Sequence, residues 1–390
     1  MGGTGFRKSS KMRCDTMTNA ESKACEVIMN PTNPIFKDVH TRKFQGCPTI
    51  AVTKRGRIFL GCYSGGTGEP DIDNFCLLIY SDDGGATWSD TLLVIPSSRE
   101  RMVQTLDIQL WIDPEGRLQL FWAQNNVTVA EKEFCTEENM KIRGGFATET
   151  GHFFREGFYY DDKKHAWWNI VCDDPDSELV FSEPRYLGYG FLRNKPIVTE
   201  SGERLYLTYD QLNDRYGYHV SKDGGKTFEH RYGAKKIATQ CDEAMAYQME
   251  DGKIRMLART CNGTIAESST YDLVNWSETV STGIPNPGAR FYIAKLPSGR
   301  VLLVNNDDSK SRISMSLYLS EDDGLTWKYK MNIDDTVDTS YPDADLTPDG
   351  KIVLTYDRSR WSLREIAFCT FTEDDIINNR EVKVNIVLKP

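Results

Sequence analysis

The chain is poor in histidine, with 5 in 390 residues, and those 5 form no His/Asp/Glu cluster at metal-ligand spacing, so no catalytic metal is expected. It carries no P-loop and no dinucleotide fingerprint, and no cofactor is expected either. No Lys/Arg-rich run appears, and 47 basic against 57 acidic residues leave a net charge of −10. A polyanion needs a basic patch, which argues against a nucleic-acid surface. No apolar segment is long enough to span a membrane. The first forty residues lack an apolar stretch of signal-peptide length, so the chain as given reads as cytoplasmic, or as secreted if a signal was removed. Ten cysteines, Cys14, Cys25, Cys47, Cys62, Cys76, Cys135, Cys172, Cys241, Cys261 and Cys369, contain no CxxC pair, and several fall in apolar segments where a reduced thiol acts as a small buried hydrophobe.

What the chain has is glycine at a regular interval. Six polar turns carry one before an apolar segment: Lys54-Arg55-Gly56-Arg57, Pro114-Glu115-Gly116-Arg117, Glu200-Ser201-Gly202-Glu203, Glu250-Asp251-Gly252-Lys253, Pro297-Ser298-Gly299-Arg300 and Pro348-Asp349-Gly350-Lys351. Successive glycines lie 60, 86, 50, 47 and 51 residues apart. A period near fifty residues with strand, turn and strand in each copy predicts an all-β fold, a six-bladed β-propeller of four-stranded antiparallel blades. In phase with it run Ser81 to Trp88, Ser221 to Phe228 and Ser320 to Trp327, all Ser-x-Asp-x-Gly-x-Thr-(Trp/Phe). In this pattern the Asp accepts backbone N–H bonds, the Gly takes a positive φ and the aromatic plugs neighbouring sheets. Degenerate copies are expected near Cys172-Asp173-Asp174, Ser269 to Trp276 and Phe371-Thr372-Glu373-Asp374. The propeller is expected over 42–390, with 1–41 packing on or closing it. The long step marks an insertion of about forty residues, Asn125 to His165, leaving the blade as a loop. Phe153, Phe154, Phe158, Tyr159 and Tyr160 are its candidate sugar-stacking or packing aromatics.

Residues at equal offset from the glycine turns should lie at equal depth around the axis. Nine before each glycine stand Cys47, Asp107, Arg193, Glu243, Arg290 and Tyr341; seven after stand Tyr63, Ala123, Tyr209, Arg259, Asn306 and Asp357, with Gln124, Asp210 and Arg358 one step on. The first ring is mostly ionisable where strand ends facing a core are normally apolar. Convergent charges of both signs point to a functional site.

The three clean boxes resemble the Asp boxes of the sialidase (neuraminidase, BNR-repeat) superfamily, and the repeats cover about residues 42 to 380. The resemblance implies an exo-acting glycoside hydrolase that releases a terminal acidic sugar, sialic acid or a relative. It further implies three arginines on the sugar carboxylate, a Tyr nucleophile activated by a Glu, and an Asp as general acid/base. Tyr341 in Ser340-Tyr341-Pro342-Asp343 resembles the nucleophile and Glu243 its activating carboxylate. Arg259 and Arg312 match the second and third arginines. A phenol of ordinary pKa near 10 is a poor nucleophile unless a carboxylate takes its proton, while a neutral phenol avoids repulsion from the sugar carboxylate.

Two positions depart from the family pattern. Gly46-Cys47-Pro48 stands where the family has Arg-Ile-Pro, so one leg of the clamp is missing. Arg290 at the same depth is the candidate replacement; otherwise the acidic substrate differs from sialic acid. For the acid/base, Glu69, Asp71 and Asp73 compete within the loop Ser64 to Asp73. Glu69 is favoured because glycines precede it, with Asp71 and Asp73 assigned to a solvated loop. Asp107, Lys195 and Arg358 are added as substrate-binding candidates. Two alternatives stay open: a same-fold glycosidase of altered specificity using two of Glu69, Asp107 and Glu243 as acid and base, and a non-catalytic carbohydrate-binding propeller. Carbohydrate is the expected partner, and the oligomeric state is left open.

Overall fold

The structure, a computed structural model, describes residues 23–141, 146–147, 151–154, 157–161, 165–209, 213–239 and 242–390. It is a six-bladed β-propeller of four-stranded antiparallel blades. The inner strands, in chain order, are Phe44–Val52, Val103–Ile112, the split pair Phe191–Leu192 and Ile197–Val198, Ala244–Gln248, Tyr292–Lys295 and Thr339–Leu346. Each leads through its glycine turn into the second strand of the blade. The six turn glycines share φ between 80° and 95°, a region closed to most side chains, and in each the glycine N–H donates to the carbonyl three residues back, as from Gly56 to Thr53 and Gly350 to Thr347.

The three Asp boxes close in one pattern. Asp83 accepts from the Thr87 N–H at 2.9 Å and hydroxyl at 2.6 Å, and Asp223 and Asp322 do the same with Thr227 and Thr326. The aromatics of the first two boxes pack on the preceding blade, Trp88 on Phe368 at 5.5 Å and Phe228 on Trp167 at 5.3 Å, while Trp327 meets Tyr318 of its own blade. The degenerate copy at Ser269 to Trp276 behaves alike, with Asp272 capping the turn and Trp276 on Tyr218. At Phe371 to Asp374 the expected hairpin is replaced by the short helix Glu373–Ile377. Thr372 and Asp375 form a capping box there, which satisfies the first helical N–H groups and outcompetes a turn.

The insertion is not a bare loop. The strand Leu118–Val129 runs on past Asn125 into the segment expected to leave as a loop, and the hairpin Gly151–Phe154 and Phe158–Asp161 pairs onto its extension. Of the five aromatics singled out there, Tyr159 stacks on Phe134 at 6.3 Å. The side chains of Phe153, Phe154, Phe158 and Tyr160 lie outside the described residues, as do Cys14, Cys241 and Asp210. The remaining eight cysteines are free thiols, six of them buried. Before the first blade, Ile28–Met29 adds to its outer strand at Leu93 and Val94, and Phe36 packs edge-on against Phe75. Among the described residues no helix is long and apolar enough to cross a membrane.

Candidate active site

At one end of the inner strands the hydrogen-bond ladder breaks at matching places. Register shifts fall between Gly46 and Thr49, Leu106 and Ile108, and Ser340 and Asp343. At each shift one residue adopts a left-handed φ: Cys47 at 52°, Asp107 at 24° and Tyr341 at 57°. Such a bulge re-aims a side chain that regular alternation would direct elsewhere. The third inner strand breaks at Arg193, while Glu243 and Arg290 stand just before theirs.

Those six side chains meet. Asp107 pairs with Arg193 at 2.5 Å, and Arg193 with Glu243 at 3.0 Å. The Tyr341 hydroxyl donates to Glu243, 2.9 Å from Oε1, and accepts from Arg259 Nη1 at 3.0 Å. Arg259 also bonds Glu243 at 2.7 Å. Around the Tyr341 ring lie the guanidiniums of Arg360, Arg290, Arg312 and Arg193, at 3.9, 4.9, 5.4 and 5.9 Å from the centroid. Five arginines therefore face the carboxyls of Glu69, Asp107, Glu243 and Asp357 inside an acidic protein.

Protonation follows from this crowding. Burial pushes Glu243 up, but Arg259, Arg193 and Arg290 outweigh it and hold its carboxyl at about 2. Burial and the adjacent Glu243 charge push the Tyr341 phenol well up, so the proton rests on tyrosine. Burial likewise raises Asp107. Arg312 is in no ion pair with a described residue and makes only two 3.4 Å bonds, to Ser340 Oγ and the Gly288 carbonyl. With Arg259 it stands at the partly open edge of the cluster.

The three acidic candidates of the first-blade loop separate cleanly. Glu69 alone reaches the cluster, accepting from Arg360 Nη1 at 2.5 Å and from the Cys47 thiol at 3.3 Å. Asp71 is buried rather than solvated, because it knits its own loop through the Thr67 and Asp73 N–H groups. Asp73 pairs outward with Arg99.

Three basic candidates are spent elsewhere. Arg290 is 1 % exposed and gives Nη1 to the Arg193 carbonyl and Nη2 to those of Pro48 and Tyr341. It ties three inner strands together beneath the tyrosine and has no open fork for a ligand. Lys195 donates to Asp343 and to the Ile50 and Ala344 carbonyls, deeper in the ring. Arg358 turns to Asp334 and Glu365 between blades, since one step past Asp357 reverses the face of a strand.

The residue that sequence reasoning missed is Arg360. Its stem crosses Gly46, where an added Cβ would stand 2.7 Å from Cγ and 2.8 Å from Cδ. Its head bonds Asp357, Glu69 and Ser340. The only signal was the glycine itself, an absent side chain in a buried strand. Equally unannounced is the approach of Cys47, Glu69 and Asp107, whose potential ligand atoms lie within 4.8 Å of one another. A cation there would face Arg193 and Arg360, and burial keeps the Cys47 thiol protonated, so these groups do not fit a resident metal.

The chain belongs to the BNR repeat-like domain family, whose model matches residues 63–354. No curated protein sequence matches it. Among solved structures it is similar to the intramolecular trans-sialidase of Ruminococcus gnavus, at 17 % identity and TM-score 0.67 over 88 % of this chain and 97 % of that one. The leech intramolecular trans-sialidase, complexed with 2,7-anhydro-Neu5Ac, gives 16 % identity and TM-score 0.67 over 90 % and 72 %. The NanB sialidase of Streptococcus pneumoniae gives 16 % and 0.62 over 92 % and 70 %. At these identities the shared feature is the fold.

Proposed function

We propose that the protein is an exo-acting glycoside hydrolase of sialidase type that releases a terminal acidic sugar. The observation that carries this reading is the Tyr341 hydroxyl held between Glu243 and Arg259. In the reaction the phenol oxygen bonds the anomeric carbon as the bond to the leaving oxygen breaks, and the phenol proton passes to Glu243. Arg259, already donating to that oxygen, stabilises charge as it develops. Glu69 protonates the leaving group and later takes a proton from the water that cleaves the sugar–tyrosine bond. Arg312 and Arg259 receive the sugar carboxylate, for which guanidinium forks are shaped.

A carboxylate-only inverting mechanism is less favoured. Glu69 and Asp107 bring one oxygen each within 4.8 Å, short of the roughly 6.5–9.5 Å that a bridging water requires. Asp107 is moreover tied to Arg193.

The test is hydrolysis of a panel of aryl glycosides, headed by sialic acid and other 2-keto sugars, by wild type, Tyr341→Phe and Glu243→Gln. Turnover of a sialoside that Tyr341→Phe lowers by about a thousandfold or more supports the reading. Activity on a different sugar that survives Tyr341→Phe would sink it, as would no turnover of any member.

A further inference from the structure

Glu69 presents a difficulty for that mechanism. A general acid must carry a proton, yet the carboxyl accepts two hydrogen bonds, and one comes from a guanidinium at 2.5 Å. Burial pushes its pKa up, but Arg360 and then Arg193 hold it below the ordinary value. Arg360 is 3 % exposed and pinned at its Nε by Asp357 at 2.9 Å, while its Nη1 and Nη2 point at Glu69 and Ser340 Oγ, the latter a weak contact at 3.4 Å. Ser340 Oγ is the same atom that Arg312 touches. The outer edge of Arg360 thus lies beside Arg312, which makes no ion pair with a described residue, over the ring of the tyrosine.

We propose that Arg360 and Glu69 form a latch that the ligand opens: the carboxylate of the incoming sugar replaces Glu69 on Arg360, whose stem fills the space that a side chain at position 46 would take. This rests on the acidic-sugar reading of the same site. The exchange keeps the buried guanidinium paired, since one carboxylate replaces another while its Nε stays with Asp357, and the released Glu69 takes a proton from solvent. It also removes from Glu69 the cation that keeps it ionised, so the acid becomes competent only when an anionic ligand is seated. A neutral sugar would leave the latch shut, which makes Arg360 a specificity determinant as well as a positioning residue.

The experiment is calorimetric titration of N-acetylneuraminic acid, and of its methyl ester, into wild type, Glu69→Gln, Arg360→Lys and Gly46→Ala, each checked by thermal melting. Glu69→Gln removes the competing charge and is expected to bind the free acid about tenfold tighter, with no gain for the ester. A residue that merely supports the fold would not give tighter binding when altered. Gly46→Ala changes no charge and has an ordinary backbone conformation, but its Cβ must push the Arg360 stem aside; it and Arg360→Lys are expected to weaken the acid about tenfold or more. Wild type that binds the acid with Glu69→Gln unchanged or weaker would overturn the latch and leave the sugar reading standing. No binding of the acid by any of the four proteins would overturn both.

Discussion

Replacing Glu243 by glutamine is close to isosteric, and the structure says what it removes. The carboxylate is 1 % exposed and accepts from Arg259, Arg193 and Tyr341 at 2.7, 3.0 and 2.9 Å. An amide keeps one acceptor and turns its NH2 toward a donor, while the guanidiniums around Tyr341 lose one of four carboxyls. Breaking a buried ion pair from one side costs about 3–5 kcal/mol. The lower half of that range applies, because Arg193 retains Asp107. With an unfolding entropy of about 2.1 cal/mol/K per residue over 390 residues, ~3–4 kcal/mol lowers Tm by about 4–5 °C. Turnover falls further, by about two to four orders of magnitude, since no base remains for the phenol proton. Differential scanning calorimetry beside sialoside hydrolysis measures both. A variant melting at or above wild type, with activity kept, would show that Glu243 neither balances the arginines nor serves Tyr341.

Arg312→Ala should raise KM for an acidic sugar about 10–100-fold, the worth of one or two charge-assisted bonds, with Tm nearly unchanged because its own contacts are two long hydrogen bonds; a large Tm loss with KM unaltered would make it structural. The acid limb of stability follows from Glu243, whose ordinary value of 4.5 is depressed to about 2 by Arg259, Arg193 and Arg290 against burial. Its contribution is complete above about pH 4.5 and is lost as pH falls toward 2, with Glu69 acting in the same direction and the raised Asp107 in the opposite one. Melting curves from pH 6 to 2.5 should therefore flatten in Glu243→Gln, and equal slopes in both proteins would refute the linkage.

The repeat carried most of this in the sequence. Counting nine residues back from each glycine named six side chains that meet, Tyr341 among them, because a propeller converts sequence phase into depth. Phase does not say which way a donor points. Arg290 has the right depth and its guanidinium is consumed by backbone carbonyls, and Arg358 lies one residue from Asp357 on the opposite face. Arg360 has no counterpart in the repeat, since it stands in the loop after a second strand, and only its stem lying across Gly46 reveals it. The continuation of Leu118–Val129 was hidden for a related reason: Gln124 to Val129 reads as polar sequence, and its strand character comes from pairing, of Gln124 to Asn126 with Val103 to Thr105 and of Val127 to Val129 with Phe158 to Tyr160.

The ring of blades has a seam. Every blade is cut from one contiguous stretch of chain, and none is completed by a strand borrowed from the other end. The first blade meets the sixth through side chains and a few isolated bonds: Trp88 on Phe368, Thr49 and the Ile50 N–H on Asp343, the Cys47 N–H on Asp357 and the Gln45 N–H on the Arg360 carbonyl. Glu69 and Cys47 stand on one side of that seam, Tyr341 and Arg360 on the other. An intermediate with five blades docked would hold nearly all of its sheet and none of its chemistry. On the proposed reaction, turnover is therefore a direct gauge of closure, and a cut within the last blade would abolish it while circular dichroism still recorded a nearly intact β-protein.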